Sequence, residues 1–159
     1  GYDHAMLPSD STLTAARRER LVRSLKAAGV DALLVTAELN VRYLTGFTGD
    51  STYLYLPVSG KPRLVSDRRY ETQLAEECPG LDSFIRPPGQ ALPLAAAEVL
   101  QSHGAHNVGF ESGSVTVALH QTLAGKAPAV RLVATEDLVE TLRAVKDAAE
   151  IGEIREALK

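Results

Sequence analysis

The stretch Leu39-Asn40-Val41-Arg42-Tyr43-Leu44-Thr45-Gly46-Phe47-Thr48-Gly49 decides the reading of this chain. It mixes apolar, turn-forming and aromatic residues too specifically for a generic helix or strand. Gly46 and Gly49 permit unusual backbone angles, so the segment reads as a loop, with two readings open: a well-packed turn, or a binding loop that holds Phe47 between the glycines as an exposed aromatic. Downstream comes a second unusual run, Val65-Ser66-Asp67-Arg68-Arg69-Tyr70, and the chain closes on Leu142-Arg143-Ala144-Val145-Lys146-Asp147-Ala148-Ala149-Glu150-Ile151.

Around these runs the pattern alternates in type. Thr14 is placed to cap a helix whose Leu21, Val22, Leu25 and Ala28 share a face, with Gly29 at the left-handed position after its end. Ala32 to Thr36 is short, apolar and β-branched at its end, as a strand buried on both faces requires. Thr52–Val58 and Pro62–Ser66 flank Ser59-Gly60-Lys61 as an antiparallel hairpin. Asp67 caps a helix that runs to about Glu77, where Cys78-Pro79-Gly80 stops it. Strands follow at Ser83–Arg86, Asn107–Glu111 and Val130–Ala134, with helices at Pro93–Ser102 and Val115–Leu123. Such alternation predicts a three-layer α/β/α domain around a mixed sheet in which the hairpin is the antiparallel element.

The chain has 159 residues, of which 45% are hydrophobic, enough for one domain with an ordinary core and no disulfide or metal. Its net charge of −3 comes from 17 basic and 20 acidic side chains spread along the length. No basic stripe is available for a phosphate backbone, which argues against nucleic-acid binding. The single cysteine, Cys78, cannot form an internal disulfide, and no apolar run approaches the roughly 20 residues of a membrane span. These features lead to the expectation of a cytoplasmic protein with no membrane contact.

Gly1-Tyr2-Asp3-His4-Ala5 before Met6 reads as a cloning scar, and residues 1–12 are expected to be a disordered leader. The domain proper is assigned to 13–146. From Glu136 onward the apolar stripe changes phase. Leu138, Leu142, Val145 and Ala149 hold one register, whereas Ile151, Ile154 and Leu158 hold another. Asp147 and Glu150 form a capping-box pattern, so the helix is expected to break near Asp147 and a new one to begin near Ala148. Residues 147–159 are accordingly assigned to the linker or first helix of a further domain, and the chain is expected to be a fragment.

Chemistry is sparse. His103-Gly104-Ala105-His106 has a glycine at a helix end between its histidines, unlike the rigid spacing of a metal pair; His4 belongs to the leader and His120 has no evident partner. Asp50, Asp67, Glu71 and Glu111 lie near strand ends, where α/β sheets often build sites, which makes a two-metal nuclease a rival reading. Asp67 nevertheless has a sufficient duty as a cap, and Glu71 suits a solvated first turn. No nucleophile elbow, phosphate loop or dinucleotide fingerprint is present. Cys78 lacks a histidine partner and reads as inert. Tyr70 shares a helical face with Leu74, which suits packing, and Arg69 suits a solvated charge as well as a contact.

In these segments the chain resembles the amino-terminal domain of the creatinase/prolidase/Xaa-Pro aminopeptidase family. The matching pieces are Val30 to Thr36, Asn40 to Gly49, Asp67-Arg68-Arg69-Tyr70, Val108-Gly109-Phe110-Glu111, and Leu142 to Asp147 with Glu150-Ile151. The resemblance implies a ribonuclease H-like mixed sheet, followed in full-length members by a "pita-bread" catalytic domain. There, two aspartates, a histidine and two glutamates hold two divalent metals, often manganese, that activate water against an Xaa-Pro bond. Those ligand motifs are not found in this sequence, so no catalytic residue and no metal ligand is assigned, and the chain alone is expected to be inactive.

Family dimers set this domain over the other subunit's catalytic pocket. The resemblance therefore implies substrate-gating or interface roles for Tyr43, Gly46, Phe47, Arg69 and Tyr70, with the chain's own catalytic domain, a second subunit and proline-containing peptides as partners. Two alternatives stay open: a protein-binding module from a metal-free relative, and the amino-terminal domain of a creatinase-type amidinohydrolase.

Overall fold

A computed structural model describes residues 10–145. The elements run α1 (Asp10–Ala28), β1 (Ala32–Val35), α2 (Glu38–Thr45), β2 (Tyr53–Pro57), β3 (Arg63–Asp67), a 3-10 turn (Arg68–Tyr70), α3 (Glu71–Glu77), β4 (Asp82–Arg86), α4 (Leu92–Ser102), β5 (Asn107–Glu111), α5 (Val117–Lys126) and β6 (Arg131–Thr135). Residues 138–145 are helical again. The six strands form one sheet in the order β4-β3-β2-β1-β5-β6. Pairing is antiparallel for β1 with β2 and β2 with β3, and parallel for β3 with β4, β1 with β5 and β5 with β6. The mixed sheet with its antiparallel hairpin is therefore as the alternation of types predicts.

Burial on both faces explains why β1 is central. All four of its residues are buried, with Leu33 paired to Leu56 on one side and Leu34 to Phe110 on the other. Strand periodicity sends Leu33 and Val35 to one face and Ala32 and Leu34 to the other. The first face packs with Leu21 and Leu25 of α1, Val41 and Leu44 of α2, Leu74 of α3 and Val139 of the last helix. Across the sheet, Ala95, Ala96, Val99 and Leu100 of α4 join Leu119 and Leu123 of α5. Leu21, Leu25, Leu33 and Leu34 are wholly buried, and each such side chain contributes on the order of 1.5–3 kcal/mol. The result is the three-layer α/β/α domain.

Two boundaries differ from the sequence reading. Helix α1 begins at Asp10, so Asp10, Ser11 and Thr12 are helical and not disordered. Thr14 is an interior, buried residue whose hydroxyl donates to Ser11 O at 3.2 Å; it satisfies its own hydroxyl instead of capping the helix. Helix α5 starts at Val117, because Thr116 accepts from Leu119 N at 3.1 Å and so fixes the cap there. The expected leader up to Ser9, and the expected break near Asp147 with a new helix from Ala148, lie outside the described residues.

The largest correction concerns the motif first quoted. Glu38–Thr45 is an α-helix, not a loop. Its brevity hides its periodicity, yet Asn40, Val41, Tyr43, Leu44 and Thr45 all lie on buried surface. Its C-terminal carbonyls are satisfied from other elements, as helix ends demand. Arg17 donates to Tyr43 O at 3.0 Å, Arg18 to Leu44 O at 2.8 Å and the Cys78 thiol to Thr45 O at 3.3 Å. Gly46 then closes the helix in the left-handed region, φ 82°, its N–H reaching Arg42 O, a conformation glycine adopts without the Cβ penalty.

Candidate functional site

Because β2 runs against the other five strands, one edge of the sheet gathers the C-terminal ends of β1, β3, β4, β5 and β6 together with the start of β2. Loops at this edge are where open α/β sheets place their sites. Two polar clusters lie there, one over β2, β3 and β4 and the other over β1 and β5.

The first cluster grows from the 3-10 turn after β3. Asp67, 8% exposed, accepts from Arg69 N at 3.0 Å and so caps the turn, as its position predicts. Its carboxylate also receives Nε and NH2 of Arg69, each at 2.9 Å, in a two-pronged pair, and Arg86 NH2 at 3.4 Å. Hydrogen bonding from Arg69 is the largest cause that holds the Asp67 carboxyl down at about 2; the same bond raises the Arg69 guanidinium. Arg69 keeps 65% of its side chain exposed and lies 5.2 Å from the centre of the Tyr70 ring. The Tyr70 hydroxyl donates to Asp50, which lowers the Asp50 carboxyl and raises the phenol.

Phe47 completes this cluster from beneath. Its ring is 1% exposed and meets the half-buried Tyr70 ring edge-on, centroids 5.2 Å apart. Of the two readings of this loop, the packed one describes Phe47: the turn after α2 points it inward against Leu44 and Leu74, where burial of its ring outweighs any presentation to solvent. Gly49 passes so close that a Cβ there would lie 2.5 Å from Phe47 Cζ and 2.9 Å from Tyr70 Cε1. The space is filled by aromatic rings, so glycine is required for contact. Thr48 fastens the same turn to α3, its N–H donating to Glu77 at 3.1 Å and its hydroxyl at 2.6 Å.

Of the five residues assigned to gating or interface, Tyr70 therefore meets both Phe47 and Arg69. Tyr43 does not join them. It is buried, with the Arg17 guanidinium 4.2 Å from its ring centre and its hydroxyl 3.4 Å from Leu142 O on the last helix. Gly46 packs toward Glu77 O at the end of α3. Tyr43 and Gly46 line a groove of about 870 Å³ together with Leu39, Arg42, Thr48 and Arg143. Leu39 is 62% exposed beside it.

The second cluster was missed as a unit. Glu111, 8% exposed at the end of β5, accepts from Thr36 N at 2.7 Å and Ala37 N at 2.9 Å, capping α2 from another strand. Asn40, 1% exposed, donates from Nδ2 to Glu111 and to Glu140, each at 2.5 Å, and accepts from Arg143 at 3.2 Å. Burial pushes the Glu111 carboxyl up against these donors. An adjoining cavity of about 510 Å³ is lined by Glu111, Ser114, Thr135, Glu136, Asp137 and Glu140. No local signal marked the unit, because the partners of Asn40 lie 71 and 100 positions away in the chain.

The carboxylates singled out from sequence do not converge. Asp50 serves Tyr70, Asp67 serves the arginines, Glu111 caps α2, and Glu71 is exposed 3.8 Å from Arg68. Among the described residues, no three or more His, Cys, Asp or Glu side chains are grouped to hold a metal ion, so these residues do not fit a two-metal centre. His103 Nδ1 sits 2.8 Å from Val99 O, with its ring 5.0 Å from Tyr55, and His120 packs 5.1 Å from Phe110. Cys78 is buried, and burial raises its thiol pKa. No helix of the described residues is long and apolar enough to cross a membrane.

Residues 17–145 match the Creatinase/Prolidase N-terminal domain. The chain belongs to that family. It is 33% identical over 141 residues to the uncharacterized peptidase YqhT of Bacillus subtilis (strain 168), a match covering 89% of this chain and 39% of that protein. Among solved structures it is similar to the N-terminal domain of the cytoplasmic peptidase PepQ from Mycobacterium tuberculosis H37Rv, with 36% identity, TM-score 0.75, and coverage of 80% of this chain and 98% of that one. Dipeptidase PepE from Mycobacterium ulcerans matches with 28% identity and TM-score 0.70 over 91% of this chain and 40% of its own. This creatinase/prolidase N-terminal domain thus spans about two-fifths of the curated relative it matches. Both clusters lie within the matched span.

Proposed function

We propose that this domain is the non-catalytic N-terminal domain of a cytoplasmic, metal-dependent Xaa-Pro peptidase, where it limits access to the catalytic pocket of a neighbouring subunit and contributes to a homodimer. The observation that carries this reading is the family match over residues 17–145, joined to a peptidase relative of which the chain covers only 39%. The remaining length of such a parent would supply the ligands for two divalent metals, with manganese as the expected ion, and the bound metals would activate water. Among the described residues, no three or more His, Cys, Asp or Glu side chains are grouped to hold a metal ion.

The geometry supports a contact role over a chemical one. Asp67 fixes Arg69 and Asp50 fixes Tyr70, so both side chains are already ordered on the sheet edge before any partner arrives. Ordering in advance lowers the entropic cost of binding. Val145 and Leu39, 61% and 62% exposed, lie on elements that flank the groove over α2, and apolar surface of this kind suits coverage by another domain.

The test uses the full-length parent loaded with manganese. Hydrolysis of Xaa-Pro dipeptides and of longer Xaa-Pro peptides is measured for the parent and for R69A and Y70A. Metal-dependent hydrolysis with a changed KM or length preference in the variants is the expected result. A parent that hydrolyses no Xaa-Pro bond with any divalent metal refutes the peptidase reading. Unchanged length preference and KM in both variants refute the gating role.

A further inference from the structure

Asn40 is the hub of a buried arrangement with an unusual charge balance. One amide nitrogen serves two carboxylates, Glu111 of β5 and Glu140 of the last helix, at 2.5 Å each. Two carboxylates that share one donor group are necessarily close neighbours, and their like charges oppose each other. The groups facing Glu111 are few. Strand β1 and α2 present only backbone N–H groups and Asn40, whereas the last helix presents Glu140 and Arg143. The turn after β6 adds Glu136 and Asp137 around the shared cavity. Arg143 reaches Asn40 Oδ1 at 3.2 Å, which leaves it the single cation bonded to the hub among the described residues.

We propose that Glu111, Asn40 and Glu140 form a proton-sensitive latch that sets how firmly residues 138–145 dock on the sheet, closing as the pH falls from neutral to mildly acidic. The helix also has an apolar hold through Val139, with Leu138 and Leu142 packed beside it. The latch therefore tunes a docking that exists at either pH. Undocking would remove Glu140 from the hub and open Glu111 to water through the adjoining cavity.

The sign follows from linkage. Burial, and further down the order of causes the charge of Glu140, raise the Glu111 carboxyl in the docked state. An undocked, hydrated Glu111 returns toward the ordinary glutamate value of about 4.3. The docked state then binds the proton more tightly, so protonation favours docking. This contribution is fully present below about pH 4.3 and is lost as pH rises through the elevated value of the docked state. Each unit of elevation is worth roughly tenfold in the docking equilibrium.

Hydrogen exchange of the amides in 138–145, followed from pH 4.5 to 7.5 and corrected for intrinsic exchange, reads the latch directly. Protection is expected to fall as pH rises across that range, and E111Q is expected to flatten the dependence. A flat profile in the unmodified chain overturns the proposal, and so does a slope that persists in E111Q. Should E111Q not fold, carbon-13 titration of the side-chain carboxyls in the unmodified chain decides. A Glu111 midpoint above the ordinary glutamate value, shared with the amide shifts of 138–145, supports the latch; an ordinary or separate midpoint overturns it.

Discussion

Phe47→Ala is expected to destabilise the domain by about 4 kcal/mol, within the roughly 3–5 kcal/mol that buried Phe→Ala changes cost. A value no lower than the middle of that range is argued from what surrounds the ring. Phe47 is 1% exposed, and its neighbours have little freedom to fill the space it would leave. Tyr70, which meets it edge-on, is tied through its hydroxyl to Asp50, and Thr48 is held to α3 by Glu77. A gap whose walls are tethered collapses little, so the cavity contribution stays on top of the lost transfer energy. The lost edge-to-face pair adds about 0.5–1.5 kcal/mol.

For a chain of this length, about 4 kcal/mol corresponds to a fall in Tm of roughly 8–16 °C. It is a large fraction of a total stability of roughly 5–15 kcal/mol. Urea unfolding followed by circular dichroism, with the slope held common to both proteins, supplies the free-energy difference, and calorimetry supplies the Tm. Phe47→Leu is the control: it keeps most of the volume and is expected to lose less than about 1.5 kcal/mol. A Phe47→Ala loss below about 1.5 kcal/mol at unchanged slope would refute the argument, because it would mean the ring is not an integral part of the core.

Three further outcomes follow from the same geometry. Gly49→Ala forces a methyl group to within 2.5 Å of the Phe47 ring; it is expected to cost about 1–3 kcal/mol and to shift the Tyr70 ring resonances in NMR spectra. Asp67→Asn is expected to be less stable than the parent chain at neutral pH, with the gap closing as pH falls from about 4 toward about 2, because the native carboxyl is held at about 2 and its contribution is lost only as it protonates; chemical denaturation as a function of pH reads this. The Cys78 thiol, buried and raised by burial, is expected to resist a disulfide-exchange reagent at pH 7.5 until urea opens the domain, whereas rapid labelling of the native chain would show the site to be accessible.

The fold was legible because burial leaves a regular trace. Ala32 to Val35 is continuously apolar since the strand is covered on both faces, and the hairpin announces itself through Ser59-Gly60-Lys61. Asp67 before Arg68 and Arg69 was readable as a cap, since a cap is a local interaction. Helix α2 was not legible. At eight residues it is too short to repeat its apolar period more than twice, and its stability comes from Arg17, Arg18, Cys78 and Glu111, contributed by other elements. The inward turn of Phe47 was hidden for a related reason. Flanking glycines signal backbone freedom, but whether the freedom presents a ring to water or folds it inward depends on α3 packing beneath it. The Glu111–Asn40–Glu140 hub joins residues 71 and 100 positions apart, and no local pattern encodes such a pairing.

The reversed direction of β2 explains why the two sequence runs act together. A parallel connection from β1 would have carried the chain back beneath the sheet before the next strand. Here the chain leaves β1, forms α2, and enters β2 from the same edge, so that the segment after Gly46 lies over the end of β3. Asp50 on that segment then meets Tyr70 from beyond β3, and Gly49 admits both aromatic rings. Each link restrains the next: Asp67 orients Arg69, Asp50 orients Tyr70, and Phe47 supports the Tyr70 ring from the core. Each side chain of this surface is thus tied to another within the domain. If the surface faces a neighbouring catalytic pocket, as proposed, it should restrict peptide length by fixed geometry, and the restriction in the full-length parent should change when Arg69 or Tyr70 is truncated but not when solvent viscosity is raised.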